Sequence, residues 1–172
     1  MKLNLGCGTD IRAGYVNADI APLAGVEVVC NLNRLPLPFA DGEFSEVYCR
    51  HVLEHVEDLV VVMEEIHRIL SPGGLLRIAG PHYSSPLAYT DPTHKRFFAF
   101  NSMRYFSPDY DFNFYSKVRF KIIAVRLEFT GGKAAFMNVL IDPLVNLMPN
   151  LYERLFAWML PVENVYFTLQ KL

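Results

Sequence analysis

The sequence is poor in cysteine, tryptophan and charged residues, and it contains no long apolar run. Its three cysteines are an odd number without metal-type spacing, which argues against a disulfide framework and predicts buried thiols in a reducing compartment. No apolar stretch reaches the ~20 residues that a membrane helix needs. The first residues are typical of a strand and a turn rather than a signal peptide. We therefore expect a protein without a membrane span, located in the cytoplasm.

The composition is that of a folded domain. Of the 172 residues, 52% are hydrophobic and 20% are charged, which excludes a disordered chain and a coiled coil. No repeat, low-complexity tract or linker interrupts the chain, so we expect one domain over residues 1–172. The net charge of −2 excludes a polycation.

Charge and aromatic residues are distributed unevenly along this chain. Residues 1–90 have a net charge of −5, whereas residues 91–126 have one of +4. Residues 91–120 also hold 10 of the 23 aromatic side chains. Basic groups interleaved with stacking rings suit single-stranded nucleic acid. An aromatic lid on the sheet edge, with solvated charges, is the alternative.

Short β-branched or alternating segments predict seven strands, at Leu3–Leu5, Tyr15–Ile20, Val26–Cys30, Phe44–Cys49, Leu75–Ala79, Phe120–Phe129 and Asn164–Leu169. Residues 57–70 have the period of an amphipathic helix, which residues 71–74 (SPGG) should end. A second helix fits within 138–160, with breaks at Pro143 and Pro149. This alternation is typical of an α/β sheet, whose ligands bind beyond the carboxyl ends of the strands.

A glycine turn, Gly6-Cys7-Gly8, follows the first predicted strand. Glycine permits positive φ and the close approach of a ligand, and free N–H groups there could bind a carboxylate or phosphate. A tight turn without a ligand is the alternative. Asp19 ends the second predicted strand, where a carboxylate can accept two hydrogen bonds from a ribose diol. A solvated aspartate in a turn is the alternative at that position.

These motifs together resemble the class I S-adenosylmethionine-dependent methyltransferases. Residues 3–9 (LNLGCGT) are similar to the first motif of that family, and Asp19 is similar to its ribose-binding acid. Residues 51–56 (HVLEHV) and 68–74 (RILSPGG) resemble the start and the end of the helix after the fourth strand. The resemblance extends in order over about residues 3–80.

The resemblance implies a fold, a cofactor and a set of contacts. The fold is α/β, a mostly parallel seven-stranded Rossmann-like sheet with helices on both faces and an antiparallel last strand. The cofactor is S-adenosyl-L-methionine. Its implied contacts are Asn4, Gly6, Cys7, Gly8, Asp19, Ile20, Asn31, Leu32 and His51.

The chain departs from the family's pattern in three places. Asn4 and Asn31 replace acidic residues, although an amide can still donate and accept hydrogen bonds. Only 10 residues separate Gly8 from Asp19, fewer than a parallel crossover usually needs. We therefore expect short or missing first helices and a cofactor pocket that is open on that side.

The residues that follow the fifth strand, 82–118, are expected to form an acceptor site or a lid inserted into the domain. The implied reaction is the attack of an acceptor nitrogen or oxygen on the methyl group of the cofactor. His82 is a candidate base because imidazole titrates near neutral pH, and Tyr83 could stack on a planar acceptor. Packing of the loop is the alternative role for both.

The next residues of this segment offer further catalytic candidates. His94 could pair with Asp91, which would orient the imidazole ring. Arg96 could hold a phosphate or carboxylate of the substrate.

A cluster at the start of the helix after the fourth strand could suggest a metal site. His51, Glu54 and His55 lie within about one turn, but no third ligand has a fixed spacing from the two histidines. A capping or buried polar role is the better interpretation, and we predict no metal.

The resemblance leaves the acceptor open. The basic aromatic segment favours an RNA base, and Pro81 and Tyr83 resemble the motif with which amino-group methyltransferases hold an exocyclic amine, although that motif follows the fourth strand. The net charge favours a small molecule such as a sugar or lipid precursor. A non-catalytic module that binds the cofactor is a third alternative. Apolar residues concentrate in 134–160, where an exposed patch would favour a homodimer.

Overall fold

The computed structural model describes residues 1–172, and its seven strands form one sheet in the order β3-β2-β1-β4-β5-β7-β6. Strands β1 to β5 pair in parallel, and β7 is antiparallel to both β5 and β6. This confirms the predicted fold class. The strands are β1 (Lys2–Leu5), β2 (Val16–Asp19), β3 (Val28–Val29), β4 (Phe44–Arg50), β5 (Leu70–Pro81), β6 (Phe120–Glu128) and β7 (Asn164–Lys171).

The first half of the sheet is connected by loops. No helix lies between β1 and β2, between β2 and β3, or between β3 and β4. The expected loss of the first helices is therefore confirmed. The loops after β1, β2 and β3 leave the sheet at the same edge, because the strands are parallel.

The two faces of the central strands differ in polarity. On one face the neighbouring residues Leu3, Val47 and Leu76 are fully buried. On the other face Arg77 is exposed and Arg12, from the loop after β1, lies 3.6 Å above the ring of Tyr48. A loop therefore covers this part of the second face, because the first crossovers contain no helix.

Helix α1 (Leu59–Ile69) connects β4 to β5 and packs on the apolar face. Asp58 caps it, since the Asp58 carboxylate accepts hydrogen bonds from the Val60 and Val61 N–H groups. The helix prediction for residues 57–70 is thus confirmed apart from its ends. Residues 71–74, which we predicted to follow the helix as breakers, lie within the bounds of β5. The pairing of β5 with β4 is irregular at these residues.

The remaining helices are α2 (Leu87–Thr90), α3 (Asn138–Leu147) and α4 (Pro149–Leu155), with short 3₁₀ turns at Leu53–His55, Ser102–Phe106 and Gly132–Met137. Pro143 lies inside α3 and does not end it, contrary to the prediction, whereas Pro149 begins α4 as its first residue. The Asn146 side chain donates to and accepts from the Leu127 backbone, so α3 lies along the outer edge of β6. No helix of the structure has the length and apolarity needed to cross a membrane.

Candidate functional site

The carboxyl ends of β1, β2 and β3 border an open cleft that is lined by 11 residues. Five of the nine predicted cofactor contacts line it, namely Gly6, Asp19, Ile20, Asn31 and Leu32. An adjoining cleft shares Gly6 and is lined also by three more of them, Asn4, Cys7 and His51. The fold thus brings the predicted set together at one edge of the sheet.

The two glycines of the glycine turn differ in the space around them. Gly6 has φ +70°, and a Cβ atom on it would lie 2.3 Å from the Val52 Cγ2 atom. Gly8 has φ +51° with no atom within 4 Å of such a Cβ, so it faces open space. The N–H groups of Gly6 and Cys7 both donate to the Ala18 carbonyl, which leaves them unable to bind an anion as the sequence suggested.

The Asp19 carboxylate is held by backbone N–H groups of the glycine turn and of the loop after β2. Its Oδ2 atom accepts from the Gly8 N–H at 2.7 Å, and its Oδ1 atom accepts from the Ala21 N–H at 2.9 Å. A carboxylate offers about four acceptor positions, so lone pairs remain on a side chain that lines the cleft. This arrangement suits a vicinal diol such as a ribose.

The cleft also has an apolar lining that suits a planar ring. Ile20, Leu32 and Val56 line it together with Asn31. The Asn31 Oδ1 atom accepts from the Asn33 N–H, which leaves the amide nitrogen of Asn31 as a free donor. A cleft with a diol-binding acid, an apolar wall and one amide donor fits the nucleoside part of S-adenosylmethionine.

Cys30 lies half-buried in the wall of this cleft, and burial, with a smaller effect of the Asp19 carboxylate, raises the pKa of its thiol to about 11. The thiolate is the reactive form. At pH 8 we therefore expect alkylation of Cys30 by iodoacetamide to be about 100-fold slower than in the unfolded chain, because the ordinary value is 9.0. Bound cofactor should slow it further.

Mass spectrometry of the alkylated peptides with and without cofactor measures this protection. Cys49 is the internal control, since it is fully buried and should react only on unfolding in either condition. Equal alkylation rates of Cys30 with and without bound cofactor would place the ligand elsewhere.

Glu54 is the most unusual group beside the cleft. It is 0% exposed, and neither oxygen of its carboxylate has a hydrogen-bond partner. The Nδ1 atom of His51, a residue with φ +50°, lies 3.3 Å from Glu54 Oε1, and His94 Nε2 lies 4.0 Å from the same oxygen. The sequence contains this glutamate in its HVLEHV stretch, but nothing in the pattern shows that it is buried without a partner.

His82 is enclosed by its neighbours. It is 0% exposed, its Nδ1 atom accepts from the Ser84 N–H, and its Nε2 atom lies 2.9 Å from Glu153 Oε1. The hydroxyl of Tyr83 donates to the Glu153 carbonyl, and its ring contacts Trp158 edge-on. Neither residue lines either cleft. The polar atoms of both side chains are thus paired with protein groups in this structure.

The segment 91–96 is arranged differently from the expected His94–Asp91 pair. The ring of His94 bonds to the Ala88 carbonyl through Nδ1, and the Asp91 carboxylate accepts from Thr93. Thr93 in turn bonds to the ring of His55. Arg96 donates to the Glu57 carbonyl rather than standing free for a substrate.

Comparisons with known proteins agree with this geometry. Residues 7–78 match the family model described as a methyltransferase domain. A segment of 46 residues is 44% identical to the ubiquinone/menaquinone biosynthesis C-methyltransferase of Desulfotalea psychrophila, covering 27% of this chain and 18% of that protein. A segment of 72 residues is 33% identical to an O-methyltransferase of Aspergillus sclerotiorum, covering 42% of this chain and 23% of that one.

The whole fold has relatives among solved structures. A crystal structure of an S-adenosylmethionine-dependent methyltransferase from Archaeoglobus fulgidus superposes with a TM-score of 0.63 at 16% identity, covering 99% of this chain and 85% of that chain. By contrast, the matches to the two curated relatives cover only about a fifth of their length.

The fold and the cleft define a Rossmann-like protein that binds a nucleoside-containing cofactor. Residues 7–78 match the methyltransferase domain that the sequence motifs predicted, and the whole chain has the fold of solved S-adenosylmethionine-dependent methyltransferases. The cofactor of that family is S-adenosylmethionine, and the cleft described above fits it.

Proposed function

We propose that this protein transfers the methyl group of S-adenosylmethionine to an oxygen or nitrogen atom of a small acceptor. The observation that carries the proposal is the cleft lined by Asp19 and His55, together with the buried carboxylate of Glu54, which precedes His55 and makes no hydrogen bond. His55 lines the same cleft and contacts His94, so titratable groups lie beside the cofactor site.

Cofactor binding is assigned to residues of the two adjoining clefts. Asp19 holds the ribose, Asn31 and Leu32 contact the adenine, and the turn at Gly6 permits the close approach of the cofactor. When bound, S-adenosylmethionine supplies an electrophilic methyl group. The protein aligns the acceptor with it and excludes water.

Activation of the acceptor is assigned to His55, which lines the cleft, with the neighbouring Glu54 and His94 as positioning residues, rather than to His82. An oxygen or nitrogen acceptor must lose a proton, and His82 is closed off from both clefts. The rings of Tyr89, from α2, and Phe97, from the loop that also contains His94, stack at 4.9 Å and are about half exposed. They form a surface on which a planar or apolar acceptor can lie.

The curated relatives support a small acceptor, because their names describe a C-methyltransferase of quinone biosynthesis and an O-methyltransferase. An RNA base is the second candidate. Phe112, Phe114 and Tyr115 are 66%, 76% and 84% exposed within the basic segment, as stacking on single-stranded RNA would require. Against it, Lys95 and Arg96 are engaged with Glu57.

Incubation of the purified protein with methyl-labelled cofactor and fractionated cell extract tests the proposal. We expect label in the small-molecule fraction. Label in RNA would favour the second candidate, and label in no fraction would favour a binding module.

Variants tested on the acceptor so identified then locate the activating groups. Glu54→Gln and His94→Ala should slow transfer by at least ~10²-fold, while cofactor affinity measured by calorimetry stays within about twofold. Arg96→Ala tests whether that side chain also holds the acceptor, because the KM for the acceptor would then rise. If only His82→Ala slows transfer, the base is His82 and our assignment is wrong.

The apolar region 134–160 is proposed to bind a second copy of this chain. Leu140, Leu144 and Leu147 of α3 are 75%, 68% and 77% exposed, and Trp158 and Met159 extend the patch. Monomers rarely expose such a surface. Its charged residues are few, and Asp142 is buried against Arg126, so the patch offers little to nucleic acid or to an anionic membrane.

Light scattering coupled to size-exclusion chromatography measures the proposed dimer. We expect Leu144→Lys to convert a dimer to a monomer at micromolar concentration. Ile123→Lys is the matched control, because Ile123 is 48% exposed on β6, outside the region. A wild-type protein that elutes as a monomer would contradict the proposal.

A further inference from the structure

Three side chains beside the cofactor cleft converge on one point. Glu54, His55 and His94 each offer a ligand atom, and these atoms all lie within 4.8 Å of one another. Ligands of one transition-metal ion, each at about 2.0–2.2 Å from it, lie about 3–4 Å apart. Small side-chain rotations would therefore bring all three onto an ion.

The Glu54 carboxylate requires a cation that no lysine or arginine of the chain provides. It is fully buried, and both of its oxygens lack hydrogen bonds. Lys95 and Arg96 follow His94 directly, yet their side chains bond to Glu57, and only their backbone N–H groups reach the Glu54 carbonyl. The Nδ1 atom of His51 lies 3.3 Å from Glu54 Oε1 but makes no hydrogen bond with it. A buried carboxylate without hydrogen bonds is strongly unfavourable, whereas a metal ion would satisfy it.

The two imidazole rings are held in the form that metal ligands need. The Nδ1 atom of His94 donates to the Ala88 carbonyl at 2.9 Å, which leaves Nε2 with a free lone pair toward Glu54. The Thr93 hydroxyl donates to Asp91, so it accepts from the Nδ1–H of His55. The Nε2 atom of His55 is thereby left free as well. Hydrogen bonds to a carbonyl, or through a hydroxyl to a carboxylate, are typical of the outer shell of metal-bound histidines.

We propose that Glu54, His55 and His94 bind a divalent transition-metal ion of the Zn²⁺ type. Two imidazoles and one carboxylate suit such an ion, while Mg²⁺ and Ca²⁺ prefer oxygen ligands throughout. The expectation of no metal rested on the lack of a third ligand at a fixed spacing. The fold supplies His94 from the loop after β5, which no local motif could show.

Three protein ligands leave coordination positions open on the ion, and His55 lines the cofactor cleft. An acceptor hydroxyl bound there would lose its proton more readily. This consequence rests on the proposed function, whereas metal binding itself does not.

Metal binding is tested on the metal-free, full-length protein without cofactor or acceptor. Titration with Co²⁺ is followed by visible absorption, and Zn²⁺ is then added in competition. We expect one equivalent bound with nitrogen and oxygen ligands, displaced by Zn²⁺. Glu54→Gln and His94→Ala should each weaken binding at least ~100-fold. His67→Gln should not weaken it, because His67 lies on α1 and is not one of the three ligands.

Two further variants decide the matter if the buried ligand variants fail to fold. Thr93 and Asp91 are exposed, so Thr93→Val and Asp91→Asn should preserve the fold and weaken Co²⁺ binding by ~10–100-fold. Wild-type affinity in Glu54→Gln, or in both exposed variants, would overturn the proposal. So would a thiolate absorption band that disappears in Cys30→Ser. Failure of methyl transfer with intact Co²⁺ binding would count against the proposed function alone.

Discussion

Replacement of Gly6 by alanine is expected to destabilise the glycine turn and to abolish measurable cofactor binding. The new Cβ atom would lie 2.3 Å from Val52 Cγ2 and 2.6 Å from Val52 Cβ, on a backbone with φ +70°. The left-handed conformation costs about 1–2 kcal/mol for a residue with a Cβ, and overpacking a buried contact typically costs about 1–3 kcal/mol. Together these effects should lower the free energy of unfolding by about 2–5 kcal/mol and cofactor affinity by more than ~10²-fold.

Gly8→Ala is the matched control for this prediction. Gly8 has a similar φ of +51°, but no atom lies within 4 Å of the position that a Cβ atom would take there, so only the backbone strain should appear. The double variant Gly6→Ala/Val52→Ala should recover the part of the loss that is due to the contact. Chemical denaturation and calorimetry measure both quantities. Equal losses in Gly6→Ala and Gly8→Ala would mean that Val52 does not limit the turn.

The fold could be predicted because each strand carries its own local signal. Leu3 and Leu5 of β1, and Val47 and Cys49 of β4, are apolar residues at alternate positions, and all four are buried in the core. The glycines and Asp19 stand at strand ends, and parallel strands bring those ends to one edge. The positions of these residues at the strand ends were therefore enough to predict that they lie beside one cleft.

The acceptor side could not be predicted in the same way, because it depends on contacts between distant segments. The position of His82 after β5 made it a candidate base, but its Nε2 atom is bonded to the Glu153 carboxylate of α4. His94 reaches Glu54 only because its backbone neighbours bond to the Glu54 carbonyl. The spacing of residues along the sequence does not reveal such contacts. A buried carboxylate without a hydrogen-bond partner can be recognised only from the three-dimensional structure.

Replacement of Asp19 by alanine is expected to lower the affinity for S-adenosylmethionine at least tenfold and up to ~10³-fold. The proposed ribose contacts are two charge-assisted hydrogen bonds, and such bonds contribute about 1.5–3 kcal/mol each, where 1.4 kcal/mol corresponds to a factor of ten. The variant also leaves the Gly8 and Ala21 N–H groups without their acceptor, so the glycine turn loses its link to β2.

Asp19→Asn separates these two effects. The amide oxygen can still accept from one of the two N–H groups, but the charge and one acceptor are lost, so affinity should lie between those of the wild type and Asp19→Ala. Asp41→Ala is the control, because Asp41 is an exposed acid that pairs with Arg68 and lines neither of the two clefts. Calorimetry should show its affinity within about twofold of wild type. If Asp19→Ala binds the cofactor as tightly as Asp41→Ala does, the ribose is held by another residue, and the orientation of the cofactor in the cleft must be reassigned.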